Sequence, residues 1–206
     1  MEIRTNQKSI YVYAHWEGMK EPVFMGELKA EFTRGKEIFS FNYSDKWLNS
    51  NYSQILDPEL QFYSGSQYAS DEKLNFGVFL DSSPDRWGRL LMKRREAELA
   101  RSEGRIEKTL RESDYLMGVY DGHRMGALRF KENPDGPFLN DNERFASPPL
   151  TSIGELERIS LRLEDDEVID DPDYMKWLVM LVNPGSSLGG ARPKANIVDK
   201  DKSLWI

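Results

Sequence analysis

Between residues 10 and 80 apolar and polar positions alternate, and Tyr, Phe, Val and Trp are frequent, which is the pattern of half-buried strands. Four stretches carry it: Ile10 to Trp16, Val23 to Leu28, Ile38 to Tyr43 and Leu60 to Tyr63, separated by Gly or Pro/Asp turns. Together they predict a small twisted sheet or partial barrel. At Ser83-Pro84-Asp85 the pattern changes to a helix start. Ser can cap, Pro is tolerated at the first helical position, and Asp favours the positive end of the dipole. A helix from about Pro84 to Arg101 follows.

Further along, Asp114 to Met117 reads as the end of a helix. Asp121-Gly122 predicts a tight turn that sends Met125 to Phe130 back as a strand. Asn133 to Pro149 is proline-rich and without periodicity, so it reads as a linker or long surface loop. Ser152 with Glu155 fits a capping box, and Ile153, Leu156, Ile159 and Leu163 fall on one helical stripe. A second helix is predicted from Asp171-Pro172 through Leu181, stopped by Asn183-Pro184-Gly185. Ala195 to Val198 and Ser203 to Ile206 read as two short strands around Asp199-Lys200-Asp201-Lys202.

Composition narrows the chemistry. With no cysteine and two histidines among 206 residues, disulfides, thiol nucleophiles, iron–sulfur clusters and Cys- or His-rich zinc sites are excluded. A hydrophobic fraction of 39% is enough for a packed core. The formal charge of −7 and pI near 5.1 disfavour a broad phosphate-backbone footprint, although a local basic patch can survive within it. No apolar run has signal-peptide or membrane-span length, so no membrane partner and a cytoplasmic location are expected.

The most informative segment is Gly185-Ser186-Ser187-Leu188-Gly189-Gly190-Ala191-Arg192-Pro193-Lys194, where small residues let backbone amides approach an anion and a lysine follows. It is not a Walker A loop, because Gly190 is followed by Ala191-Arg192-Pro193 where that motif needs Lys-Ser/Thr opening a helix. The three-glycine dinucleotide pattern also fails. A Gly-rich turn entering a β-hairpin remains, the arrangement with which kinase folds cover nucleotide phosphates; a plain helix-to-strand connection is the alternative.

Ser187-Leu188-Gly189-Gly190-Ala191-Arg192-Pro193-Lys194 resembles the Gly-rich loop of the HipA family of bacterial toxin kinases. Phe76-Gly77-Val78-Phe79-Leu80-Asp81-Ser82-Ser83-Pro84-Asp85-Arg86-Trp87-Gly88-Arg89 resembles the family's N-terminal signature. Tyr115 to Val119 with Arg124 to Phe130 resembles its following element, so three motifs stand in the family's order. The resemblance implies a serine/threonine protein kinase that uses ATP and Mg²⁺ and arrests growth by phosphorylating a cytoplasmic component of the translation machinery. It implies pairing with a small DNA-binding antitoxin of the HipB type, with DNA contacted only through that antitoxin. It further implies autophosphorylation at Ser187 and nucleotide-phosphate contacts from Gly189, Gly190, Ala191, Arg192, Pro193 and Lys194, mainly through backbone N–H groups. Some relatives carry Gln-Glu where this chain has Arg192-Pro193.

A kinase also needs a strand lysine, a catalytic aspartate and Mg²⁺ ligands, and only twelve residues follow Lys194. The expectation is the N-terminal portion of a longer kinase, with no catalytic residue in this chain and the helical kinase domain elsewhere. The alternative is a stand-alone regulatory module that docks on a separate kinase core. Lys200 and Lys202, in the predicted turn, are poor substitutes for the missing lysine. Glu164-Asp165-Asp166-Glu167 with Asp170-Asp171 reads as a solvated acidic stretch, not a metal loop. His15 and His123 read as packing or surface residues. Lys93-Arg94-Arg95, close to Glu96 and Glu98, reads as a charged helix face, with an acidic partner as the sharper interpretation. The fold class expected is α+β: residues 1–82 a β-rich subdomain, 83–149 helix, hairpin and linker, and 150–206 two helices, the Gly-rich loop and the start of a kinase-like ATP-binding lobe.

Overall fold

The structure, a computed structural model of the chain, describes residues 7–121, 124, 126–139, 153–163, 174, 197–198 and 204–205. It is α+β, with a five-stranded antiparallel sheet and few helices. The chain divides into two compact units. The first comprises Met1–Ser82, Arg111–Met117 and Arg124–Leu139; the second comprises Ser83–Leu110, Gly118–His123 and Asn140–Ile206.

In the first unit β1 (Gln7–Ala14), β2 (Val23–Thr33), β3 (Lys36–Tyr43), β4 (Gln67–Tyr68) and β5 (Leu128–Lys131) form a sheet in the order β4-β3-β2-β1-β5. Alternation sets the faces: Ile10, Val12 and Ala14 on β1 and Leu28 and Ala30 on β2 are buried, whereas Lys29 and Glu31 are not. The pairing slips between Val12, opposite Gly26, and Tyr13, opposite Phe24, so Met25 is an extra residue in β2. This bulge reverses the phase of the strand and lets Met25 join the core, while its carbonyl accepts from the Ser44 amide at 2.9 Å. Gly26 is obligatory beside it, because a Cβ there would lie 2.2 Å from the Asn42 carbonyl oxygen.

β2 and β3 are joined by Arg34 and Gly35, both with positive φ (49° and 85°), between the paired residues Thr33 and Lys36. Two consecutive positive φ values give the turn whose twist matches that of the flanking strands. Ser44 then caps the short helix α1 (Asp45–Leu48), its hydroxyl accepting from the Trp47 amide, and Trp47 is fully buried.

The core on the sheet gathers Phe39, Phe41, Trp47, Leu60, Phe76, Phe79, Leu116 and Phe130. Helix α2 (Gly77–Asp81) supplies Phe79, whose ring stands near those of Phe41, Phe76 and Phe130. Helix α4 (Glu112–Met117) is tied to the sheet by a polar cluster: Lys8 Nζ donates to Asp114 Oδ1 at 2.6 Å and Ser113 Oγ at 2.8 Å. Ser113 donates in turn to Glu37 from both hydroxyl and amide. The fully buried Ser113 thus has its hydrogen-bonding capacity used.

Two expectations are corrected in this unit. Leu60 to Tyr63 is not a strand; β4 is Gln67–Tyr68. The Gln67 side chain accepts from the Gln61 amide at 2.7 Å and donates to the Gln61 carbonyl at 2.9 Å, so a side chain takes the place of a ladder. The strand after Asp121-Gly122 does not pair with the segment before it. Helix α4 precedes that turn, and β5 instead pairs with β1, Val12 opposite Phe130. The described start of the proline-rich segment, residues 133–139, is an irregular surface loop as expected, anchored at its end: the Leu139 amide donates to the Phe130 carbonyl, Leu139 is buried, and the Phe138 ring meets Tyr13 edge-on.

In the second unit α3 (Arg86–Glu103) is the longest helix described. Its cap is Asp85, not Ser83, so Pro84 lies before the helix. The Asp85 carboxylate accepts from the amides of Trp87 and Gly88, two donors of the first turn. The helix runs past Arg101 to Gly104, whose φ of 63° supplies the left-handed terminator. Helix α5 (Ile153–Leu163) occupies the predicted stripe region, with Ile159 buried. The two C-terminal strands are observed as β6 (Ile197–Val198) and β7 (Leu204–Trp205), paired antiparallel. The segment predicted as a second helix lies outside the described residues, apart from the buried Tyr174.

Candidate functional site

The residues singled out for nucleotide chemistry, Ser187, Gly189, Gly190, Ala191, Arg192, Pro193 and Lys194, lie outside the described residues. So do Lys200, Lys202, His123 and the acidic stretch from Glu164 to Asp171. What the structure does place is the first motif and most of the second.

Residues 76 to 82 of the first motif belong to the first unit. Asp57, 3% exposed, holds them: its Oδ2 accepts from the Val78 amide at 2.9 Å and its Oδ1 from the Glu59 amide at 2.9 Å. Gly77 packs closely on this carboxylate, and a Cβ there would stand 3.2 Å from Oδ2. Phe76 and Phe79 are sealed in the core. The second motif joins the same place, because Arg124 Nη1 donates to the Ser82 carbonyl at 2.6 Å while its guanidinium lies 4.5 Å from the Phe130 ring centroid. Phe79 and Phe130, one from each motif, meet at 6.2 Å in an edge-on arrangement. These residues act as fold joints. Asp57 was not anticipated from sequence, although Asp57-Pro58-Glu59 carries an Asx-turn signature; Arg124 was marked only as part of the second motif, with no role assigned.

Residues 83 to 89 belong to the second unit, where Asp85 caps α3 and Arg89 Nε donates to the Pro84 carbonyl at 2.9 Å. A cavity of about 500 Å³ lies along this helix, lined by Arg86, Trp87, Arg89, Leu90 and Lys93. Further down the helix the charges are paired: Glu96 accepts from the Arg105 guanidinium and from the Lys108 amide, and Glu98 from Arg101. The Arg105 hydrogen bond is the main reason that the Glu96 carboxyl is held below its ordinary range. Burial lowers the Arg95 guanidinium and raises the Tyr174 phenol, whose hydroxyl bonds Arg94.

In the first unit burial, and then the Asp57 charge, push the Tyr43 phenol up to about 12. Among the described residues no group of three or more His, Asp and Glu side chains is arranged to hold a metal ion. No described helix is long and apolar enough to cross a membrane. His15 contributes its backbone amide, which donates to the Ala127 carbonyl at 2.8 Å beside β5. Compared with family models, curated proteins and solved structures, the chain matches none.

Proposed function

We propose that the chain is the N-terminal part of a HipA-like serine/threonine kinase, carrying its nucleotide loop and autophosphorylation serine. The reading rests on one observation: three motif segments, Phe76 to Arg89, Tyr115 to Phe130 and Ser187 to Lys194, stand in the family's order. The packing of the first two is consistent with it, since Arg124 and Phe130 of the second close on Ser82 and Phe79 of the first. The β6–β7 hairpin directly after the Gly-rich segment is the element a kinase-like lobe would place there.

In this proposal the amides from Gly189 to Lys194 would cradle the phosphates of Mg²⁺-bound ATP, which supplies the phosphoryl group. Ser187 would be the self-phosphorylated residue. Phosphate on Ser187 would add roughly −1.5 to −2 charge beside the phosphate cradle, disfavouring nucleotide in the same place. The partners would be a HipB-type DNA-binding antitoxin and a substrate of the translation machinery, in the cytoplasm. The second reading, a regulatory module for a separate kinase core, rests on the first unit having a sheet and core of its own.

The test supplies the chain with the catalytic kinase part, in cis and in trans, and follows phosphate transfer from labelled Mg–ATP with site mapping. Phosphate at Ser187, lost in Ser187→Ala while nucleotide binding persists, is the expected result. Inhibition in trans favours the regulatory module. Unchanged phosphate stoichiometry in Ser187→Ala defeats the site assignment, and absence of nucleotide binding by the joined protein defeats the kinase reading.

A further inference from the structure

The N-terminal half of α3 is built against its own dipole. From Arg86 to Arg95 the helix carries Arg86, Arg89, Lys93, Arg94 and Arg95 and no acid, whereas Glu96, Glu98 and Glu103 follow in its C-terminal half. Helices gain stability from the opposite arrangement, most strongly in the first turn, where Arg86 and Arg89 stand. Two of these cations have no stabilising use in the fold: among the described residues Arg86 and Lys93 form no ion pair or side-chain hydrogen bond, and both are exposed. They stand at the two ends of the 500 Å³ cavity lining, with the half-buried Arg89 and the exposed Leu90 between them. Trp87 lines the same cavity, is 2% exposed, and its buried indole N–H has no acceptor among the described residues. A buried donor without a partner carries a desolvation cost.

We propose that this face of α3 is a docking site for an acidic segment of a partner protein, in which carboxylates flank an apolar side chain. The two free cations are seven residues apart, about 10 Å along the helix axis. That span matches a few residues of extended chain at roughly 3.3 Å each. Carboxylates pair with Arg86 and Lys93, and the apolar side chain covers Leu90. A nucleic-acid strand fits less well. The basic stretch is under three turns long in a chain of net charge −7, and the buried Trp87 offers no exposed ring on which bases stack. The inference does not rest on the kinase reading, since Arg86 and Lys93 enter it through their charge and exposure and not through membership of a motif.

The experiment measures fluorescence anisotropy of the peptide Glu-Asp-Leu-Asp-Glu, carrying a neutral dye, against the full 206-residue chain at low salt. Binding is expected, weakening as salt is raised. It should fall at least tenfold in the double variant Arg86→Glu/Lys93→Glu, at least threefold in Leu90→Ser, and at least tenfold for Gln-Asn-Leu-Asn-Gln. The substituted positions are exposed, so thermal melts of the variants should show no loss of stability, and Arg86→Glu, at the start of the helix, should raise the midpoint slightly. The neutral pair Arg86→Gln/Lys93→Gln gives an intermediate loss. Equal binding by the charge-reversed variant, no binding by the wild type up to 1 mM peptide, or tighter binding of a single-stranded oligonucleotide would each overturn the proposal. So would binding seen only after Glu164, Asp165, Asp166 and Glu167 are changed to their amides, because the face would then belong to the chain's own acidic run.

Discussion

Replacing Tyr43 by Phe should stabilise the protein, against the usual direction of core substitutions. Tyr43 ends β3, is 2% exposed, and packs edge-on against Phe41 and stacked on Phe62. Its hydroxyl is buried with no hydrogen-bond partner among the described residues. Removing an unsatisfied buried hydroxyl while keeping the ring recovers part of a desolvation cost of roughly 1–3 kcal/mol, so a gain of about 1 kcal/mol is expected at pH 7. The gain should grow at high pH. Burial and the Asp57 charge push this phenol from its ordinary value of 10.0 to about 12. Above pH 10 the unfolded chain therefore loses this proton before the folded one does, and the wild type is destabilised between the two values. Two pH units at about 1.36 kcal/mol each set a ceiling near 2.7 kcal/mol, which residual solvent screening reduces. Urea unfolding of both proteins at pH 7 and at pH 11, taking the difference so that other titrations cancel, reads both effects. With m of about 1–3 kcal/mol/M, the pH 7 midpoint should rise by roughly 0.5 M. A midpoint that falls, or a difference that does not widen with pH, would show that the hydroxyl is satisfied and refute the reasoning.

Asp57→Ala should cost about 2–4 kcal/mol, since it strips acceptors from two amides, and Asp57→Asn about half as much because one carbonyl oxygen remains; amide exchange at Val78 should speed up in the Ala variant. Gly26→Ala drives a Cβ to 2.2 Å from the Asn42 carbonyl and should cost at least about 3 kcal/mol, read as a fall in Tm with loss of near-ultraviolet dichroism. Glu96 is held below its ordinary value by Arg105, so its contribution is present above the unfolded carboxylate pKa and lost as pH falls through the folded one. Glu96→Gln should therefore lower Tm at pH 7 slightly and flatten its decline at acid pH, and an unchanged acid limb would count against the pair.

The three long strands were legible because each rests on alternation over six or more residues, and α3 because Ser83-Pro84-Asp85 marks its start. Ile10, Val12 and Ala14 could face only one way once paired with Leu28 and its neighbours. The strands ran longer than predicted where charged residues alternate with small ones, as at Lys29-Ala30-Glu31, because pairing in the interior of a sheet sustains a strand that hydrophobicity alone does not mark. Misreadings occurred where side chains replace backbone partners. Gln67 satisfies the backbone of Gln61 and so removes a strand that Leu60-Gln61-Phe62-Tyr63 suggests. Likewise, a cap is decided by reach: the Asp85 carboxylate meets two amides of the first turn, and the choice between it and Ser83 cannot be made from residue preference. The pairing of β5 with β1 joins residues more than a hundred positions apart, and no local turn signal encodes it. The candidate nucleotide residues were legible only as a string, Ser187 to Lys194, and their reading stands on sequence alone.

The first motif separates into residues the fold uses and residues it does not. Phe76 and Phe79 fill the core, Gly77 leaves room for the Asp57 carboxylate, the Ser82 carbonyl receives Arg124, and Asp85 caps α3. Any sequence adopting these joints would need such residues whatever its activity, so a motif of this kind identifies an architecture before it identifies a chemistry. Arg86, near the motif's end, and Lys93, two turns further along the same helix, stand apart. Both are exposed and without ion pairs among the described residues, and Arg86 sits in the first turn of α3, where positive charge is least favourable. Residues that a fold tolerates at a cost are better guides to function than those it requires, because stability alone gives no reason for their presence.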